Sequence, residues 1–133
     1  MFAQVRDFSI WPRIEPMVAD ALERSGGRFE ARDVLAALYE GRQQLWLHAD
    51  KDIDLCVITE VIQYPRKRAL SIFLCVGRNR DSWIGHLTDL ERFGAEQGCS
   101  LIEAWARPGW ARVLGWKKTH VLLEKALGNV VRS

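Results

Sequence analysis

The stretch ALSIFLCVGRNRDS, residues 69–82, decides the fold. Residues 69–76 are almost continuously apolar, which is typical of a central β-strand that is covered on both faces. Gly77 then opens a polar loop, and Asp81 and Ser82 are residue types that cap the start of a helix. We therefore expect a strand over 69–76, then a loop, then a helix.

The residues that follow this loop predict a helix and a second strand. In residues 83–97, Trp83, Leu87 and Leu90 fall on one helical face, and Gly98 ends the helix. The stretch LIEAWA, residues 101–106, has the composition of a strand. Because a strand–helix–strand unit joins its strands by a right-handed crossover, we expect 69–76 and 101–106 to run parallel.

The remaining segments extend this unit into a mixed sheet. A turn at 64–68 predicts antiparallel pairing between a strand at 54–62 and the strand at 69–76. The full expected order is α-α-β-β-β-α-β-α-β, an α+β fold with helices on both faces of the sheet. No repeat or linker divides the chain, so we expect a single domain over 1–133. The other predicted elements are helices at 11–25 and 30–40, a strand at 45–48, a short helix or turn at 108–114, and a final strand at 119–127.

Composition excludes several classes of protein. The 133 residues are 48% hydrophobic and 27% charged, as in an ordinary globular domain, and the net charge of +2 is too balanced for a dedicated duplex-DNA binder. No apolar run is long enough for a membrane helix, and the N-terminus lacks the pattern of a secretory signal. Cys56, Cys75 and Cys99 form no CxxC pair, and the three histidines lack metal-binding spacing. We expect no metal, no membrane contact and a reducing, cytoplasmic location.

This order of elements, together with the segment 70–116, resembles the GNAT superfamily of N-acetyltransferases. In that family an equivalent segment ends in a glycine followed by an aromatic residue, as Gly115-Trp116 does here. The stretch RPGWARVLGW, residues 107–116, and the tripeptide YPR, residues 64–66, also resemble small GNAT-like proteins encoded by tailed phages. Some of those proteins are virion components. The resemblance covers nearly the whole chain.

The resemblance implies a site for acetyl-CoA where the two parallel strands separate. The pyrophosphate would lie at the N-terminus of the helix that follows the first of them, where unpaired N–H groups and the helix dipole favour an anion. Asp81 places a negative charge in this loop, which also lacks the glycines that the family uses for close approach to phosphate. The sequence therefore predicts a degenerate acetyl-CoA site, with cofactor-binding candidates Cys75, Val76, Gly77, Arg78, Arg80 and Ser82.

Two acidic residues are candidates for the catalytic base that the family needs. Glu60 lies late in the strand at 54–62, and Glu103 lies inside the strand at 101–106. A carboxylate there can take a proton from an attacking amine. The alternative is an outward-facing acid, with Arg107 or Arg112 as the partner of Glu103. The tyrosine that commonly acts as general acid in the family is missing from the residues just before Gly115.

Two functions follow from these observations. The first is a weak or specialised N-acetyltransferase that transfers an acetyl group from acetyl-CoA to an amine substrate. The second is a catalytically inactive phage virion or interaction protein, for which Trp110 and Trp116 would face a protein partner or a second copy of the chain. Such a protein would work in the bacterial host cytoplasm or in the virion. Nucleic-acid binding is the weakest of the hypotheses, since it rests only on the excess of arginine over lysine, fourteen residues against five.

Overall fold

The computed structural model describes residues 2–77, 84–106, 110, 112 and 114–128. Its elements are five strands and three helices, joined by short 3₁₀ turns. No helix in these ranges is long and apolar enough to cross a membrane. In chain order the elements are β1 (Phe2–Val5), α1 (Trp11–Leu22), α2 (Ala31–Tyr39), β2 (Gln43–Ala49), β3 (Ile53–Gln63), β4 (Arg68–Gly77), α3 (Leu87–Glu96) and β5 (Leu101–Ala104).

The five strands form one sheet in sequence order, β1-β2-β3-β4-β5. The first three pairings are antiparallel, and β4 pairs with β5 in parallel. Since α3 connects β4 to β5, the predicted crossover between parallel strands is confirmed. The predicted antiparallel pairing of β3 with β4 is confirmed as well.

Helices cover both faces of the sheet, as the sequence predicts. The apolar stripe of α1, formed by Ile14, Val18 and Leu22, packs with α2 on one face. Leu87 and Leu90 of α3 pack on the other face. We call these the α1 side and the α3 side of the sheet. The chain is therefore a mixed α+β fold with two cores that share one sheet.

Some elements differ from the sequence expectations. Strand β1 was not predicted, because a four-residue strand carries little pattern of its own and is defined by its pairing with β2. Residues 119–127 form no strand within the single chain. The predicted helix or turn at 108–114 falls partly outside the described residues, although Trp110, Arg112 and Leu114 are helical.

Two tryptophans, Trp110 and Trp116, were expected to face a partner if the protein is an interaction protein. Trp110 and Trp116 are half-buried and pack against the α3-side core, so neither ring is fully exposed. Their apolar rings gain more from this core than from solvent exposure.

Candidate functional site

The parallel strands β4 and β5 separate after a short paired stretch. Their pairing runs from Ala69 opposite Leu101 to Ile72 opposite Ala104, and there β5 ends. Strand β4 continues to Gly77, paired only with β3. The last residues of β4 therefore have one edge that no described strand covers, and we call this region the strand divergence.

A β-bulge marks the start of the strand divergence. Ile58 on β3 pairs with Leu74, but the next residue, Thr59, pairs with Ile72. Phe73 is therefore the extra residue on β4. A bulge of this kind bends its strand and leaves peptide groups outside the ladder, and such bulges are common beside active sites. The Phe73 ring contacts Phe29, edge to face, with ring centroids 4.8 Å apart.

The predicted cofactor-binding residues fall into two groups. Cys75, Val76 and Gly77 form the end of β4, beside the strand divergence. Arg78, Arg80 and Ser82 lie outside the described residues, as does Trp83. Trp105 follows β5 and is 63% exposed, so its ring does not fill the space between the strands.

Gly77 is required by its neighbours on β3. A Cβ atom at this position would lie 2.9 Å from the backbone oxygen of Asp54 and 3.1 Å from a methyl group of Leu55. Crowding against β3 therefore accounts for glycine here, independently of any contact with phosphate.

Cys75 contributes to packing rather than to nucleophilic chemistry. It is half-buried, and burial raises the pKa of its thiol to about 12. The neighbouring strand carries Cys56, whose thiol pKa burial also raises to about 12. Both groups therefore stay protonated at neutral pH, which excludes them as thiolate nucleophiles.

The two candidate carboxylates lie in one row across the sheet. Ser71 on β4 is opposite Glu60 on β3 and opposite Glu103 on β5. Residues opposite one another on neighbouring strands share a face, and this is the α1 side. Two strand spacings place the Glu60 and Glu103 backbones about 10 Å apart. The row lies two positions before the bulge at Phe73 and extends to Gln43, which is opposite Glu60 on β2.

Gln43 orients Glu60. Its Nε2 donates a hydrogen bond to Glu60 Oε1 at 3.0 Å, and the Gln43 side chain is buried while Glu60 is half-buried. A carboxylate accepts hydrogen bonds, and only the nitrogen of the Gln43 amide can donate one. The amide is therefore oriented with Nε2 toward Glu60. Gln43 Oε1 is buried and finds no donor in the described part of the chain. Sequence analysis missed Gln43, because a glutamine at the start of a strand gives no local sign of a partner.

Glu103 has a tyrosine as its partner. The hydroxyl of Tyr64, in the turn between β3 and β4, donates to Glu103 Oε2 at 2.8 Å. This bond to a carboxylate raises the pKa of Tyr64. Of the two expected arginine partners, Arg107 lies outside the described residues, and Arg112 makes no described ion pair. Leu101 and Glu103 do share one face of β5, as the alternation predicts.

Two histidines pack together at the start of α3. The ring of His86 lies 5.0 Å from that of Phe2 and 5.0 Å from that of His48. His48 Nδ1 is 2.6 Å from Asp54 Oδ1. Among the described residues, no group of three or more histidine, cysteine or acidic side chains is arranged to hold a metal ion.

Two open cavities lie beside β1, away from the strand divergence. One, of about 330 Å³, is mostly apolar and includes Val5 and Leu47. The other, of about 360 Å³, lies between β1 and α3 and includes Gln4 and Arg92. Neither cavity is lined by Glu60 or Glu103.

Comparison with known proteins identifies the fold. No protein-family model and no curated protein sequence matches the chain. A predicted acetyltransferase from Clostridium acetobutylicum, solved with acetyl-CoA, is 16% identical, with a TM-score of 0.72 over 96% of each chain. The aminoglycoside acetyltransferase meta-AAC0020 from an uncultured soil sample, solved with sisomicin, is 13% identical, with a TM-score of 0.66 over 96% of this chain and 95% of its own.

A third similar structure is the aminoglycoside N-acetyltransferase AAC(6')-Iy in complex with CoA. It is 13% identical, with a TM-score of 0.64 over 95% of this chain and 98% of that one. Identities this low establish the architecture alone, and the activity has to be argued from the site. The mixed sheet, its parallel β4–β5 pair and its helices on both faces give this chain the fold of the GNAT-like acetyltransferases.

Proposed function

We propose that this protein is an acetyl-CoA-dependent N-acetyltransferase with an altered phosphate loop. The observation that carries the proposal is the bulge at Phe73, placed where β4 loses its pairing with β5. Two of the similar structures, the Clostridium protein and AAC(6')-Iy, contain acetyl-CoA or CoA. The cofactor would supply an activated thioester, and an amine would be the acceptor.

The residues of β4 after the bulge are suited to bind the acyl donor. Along 73–77 the peptide groups that point away from β3 lie outside the β4–β5 ladder, so no described strand pairs with them and they could hydrogen-bond a bound molecule. A backbone N–H directed at the thioester oxygen would stabilise the negative charge that develops there. Arg78, Arg80 and Ser82 remain the proposed phosphate contacts, since they directly follow this strand.

Glu60 is the better of the two candidate bases. Gln43 fixes one of its oxygens and the group is half-buried, so its environment is set by the protein rather than by bulk water. Glu60 would accept the proton that the amine loses as its nitrogen forms the new bond to the acyl carbon. The carbon–sulfur bond of the thioester would break in the same transfer, and CoA would leave as a thiolate that takes a proton from solvent. Glu103 is also half-buried, but its partner is the exposed Tyr64 rather than a buried side chain, so we assign it second place.

Titration calorimetry with acetyl-CoA tests the donor site. The wild-type chain should bind acetyl-CoA with micromolar affinity, and Arg80→Ala should lose most of this binding. Arg66→Ala, in the turn at the opposite end of β4, is the matched control and should bind as the wild type does. Absence of binding at millimolar acetyl-CoA would remove the proposal.

An acetyl-transfer assay on a panel of amines, including aminoglycosides and polyamines, tests the base. We expect Glu60→Gln to reduce turnover by about 10²–10⁴-fold while acetyl-CoA binding is unchanged, as for loss of a general base. Glu103→Gln should reduce it by less than about tenfold. If both variants retain wild-type turnover, neither carboxylate is the base.

A second function is supported by a different feature. Residues 121–127 expose several large apolar side chains, which favours contact with another protein. A chain that fails to bind acetyl-CoA but assembles specifically would be a non-catalytic interaction protein, such as a virion component. In either role we expect the protein in the cytoplasm of a bacterial host, or in a virion assembled there.

A further inference from the structure

The apolar cavity beside β1 has a floor made by neighbouring strands. Ala3 of β1 lies opposite Leu47 of β2, and Ala49 of β2 lies opposite Ile53 of β3. Because the two alanine side chains are small, they leave room for the cavity of about 330 Å³ that these four residues line. We call it the β1 cavity. Its volume is at the lower end of the range of about 300–1,000 Å³ that is usual for small-molecule sites.

Apolar side chains that the core buries only in part form the walls of the β1 cavity. Val5 of β1, Ile10 just before α1 and Ile53 are half-buried, and all three pack against the α1-side core. Each therefore keeps part of its apolar surface outside the core. An apolar group in the cavity removes this surface from water, which is favourable. The walls thus fit a ligand with a hydrocarbon body.

Two cationic side chains also line the β1 cavity. Arg13 lies in the first turn of α1, and Lys51 lies in the turn between β2 and β3. Both are exposed, and neither forms an ion pair with a described residue. Asp52 is the acidic residue of the described lining, so cations outnumber anions there. An arginine beside a lysine is suited to hold a carboxylate.

The β1 cavity is separate from the candidate catalytic row. Gln43, the residue opposite Glu60, begins β2, and Leu47 lies about 13 Å further along this strand. Strands β1 and β2 are also at the opposite edge of the sheet from β5, which carries Glu103. A molecule in the β1 cavity is therefore not positioned to react with either candidate base.

We propose that the β1 cavity binds a short aliphatic carboxylate. Its alkyl chain lies on Val5, Leu47 and Ile53, and its carboxylate is held by Arg13 and Lys51. An alkyl alcohol of the same length gains the apolar contacts but no charge-assisted hydrogen bond, and an alkyl amine meets two like charges. The proposal concerns binding alone and is independent of acetyl transfer.

Titration calorimetry on the full chain with octanoate, 1-octanol and octylamine tests the ligand class. We expect octanoate to bind saturably, with one molecule per chain. Its affinity should exceed those of the alcohol and the amine by at least about tenfold, as for one charge-assisted hydrogen bond. The proposal is overturned if millimolar octanoate gives no saturable binding, or if 1-octanol binds as tightly as octanoate.

Variants of the lining test the place of binding. Arg13→Gln and Lys51→Gln should each weaken octanoate binding by about tenfold, and Asp52→Asn should strengthen it by removing a like charge. Ala3→Leu should abolish binding with an unchanged circular dichroism spectrum, because the larger side chain occupies the cavity. Arg24→Gln, an exposed arginine just beyond the other end of α1, is the matched control and should bind as the wild type does. If Arg13→Gln and Lys51→Gln also bind as the wild type does, the proposal fails.

Discussion

Tyr64 and Glu103 form a pair whose coupling is measurable. The Tyr64 hydroxyl donates to the carboxylate, and removing its proton would place two negative charges at a hydrogen-bond distance of 2.8 Å. The pKa of Tyr64 is raised for this reason. Sequence analysis could not find the pair, because 39 residues separate its members and Tyr64 reads locally as a turn residue beside Pro65.

We expect Glu103→Gln to lower the pKa of Tyr64 toward its ordinary value. A neutral amide accepts the hydrogen bond less strongly and adds no charge repulsion. Tyrosinate absorbance followed against pH measures this, and a Tyr39→Phe background leaves Tyr64 as the one titrating tyrosine of the two in the chain. An identical titration with and without the Glu103 carboxylate would show that the pair does not persist in solution.

The thiols of the buried Cys56 and the half-buried Cys75 make the folded state sensitive to alkaline pH. Burial raises the pKa of both Cys56 and Cys75 from 9.0 to about 12, so the folded chain holds these protons more tightly than the unfolded chain. This contribution to stability is fully present below pH 9.0 and is lost as the pH rises toward 12. Each thiol contributes at most about 1.4 kcal/mol per pH unit across that interval.

Urea unfolding at about pH 8 and about pH 11 measures the loss. We expect the free energy of unfolding to fall less steeply with pH in Cys75→Ala than in the wild type, because one buried thiol is gone. Cys99→Ala, outside this buried pair, is the control and should follow the wild-type slope. Equal slopes in all three proteins would contradict burial as the cause.

At the level of elements, strand β4 shows what local sequence can and cannot predict. Its apolar run and the α3 pattern that follows are local, so the strand–helix–strand unit and its parallel pairing were predictable. The bulge at Phe73 was not predictable. It arises because β4 has one more residue than β3 between two neighbouring pairs, and this appears only once the strands are paired. The free strand edge and the Gln43–Glu60 contact arise from pairing between strands in the same way.

The end of β4 should tolerate no side chain at Gly77. A Cβ at 2.9 Å from the Asp54 oxygen forces β3 and β4 apart, so Gly77→Ala should lower the free energy of unfolding by about 1–3 kcal/mol. Gly85→Ala is the control, because no described atom beyond its two chain neighbours lies within 4 Å of its Cβ position. It should change stability by less than about 0.5 kcal/mol. Chemical denaturation of both variants measures the difference.

At the level of the whole molecule, one sheet carries two cores. Ile58 of β3 points into the α1-side core, and its neighbour Val57 points into the α3-side core. Because the same strands serve both faces, neither helical layer can leave without exposing apolar residues of the shared sheet. We therefore expect the chain to unfold as one cooperative domain over 1–133.

Matched cavities on the two faces test this cooperativity. Ile14→Ala on α1 and Leu90→Ala on α3 each remove a side chain that is 0–1% exposed, so each should cost about 2–5 kcal/mol. In a background in which phenylalanine replaces the other five tryptophans, fluorescence reports the buried Trp46 of the α3-side core alone. This fluorescence and far-ultraviolet circular dichroism should then give the same urea midpoint in both variants. If Ile14→Ala shifted only the circular dichroism transition and left the Trp46 transition in place, the α1 side would unfold independently. The coupling through the shared sheet would then be too weak to make the chain a single cooperative unit.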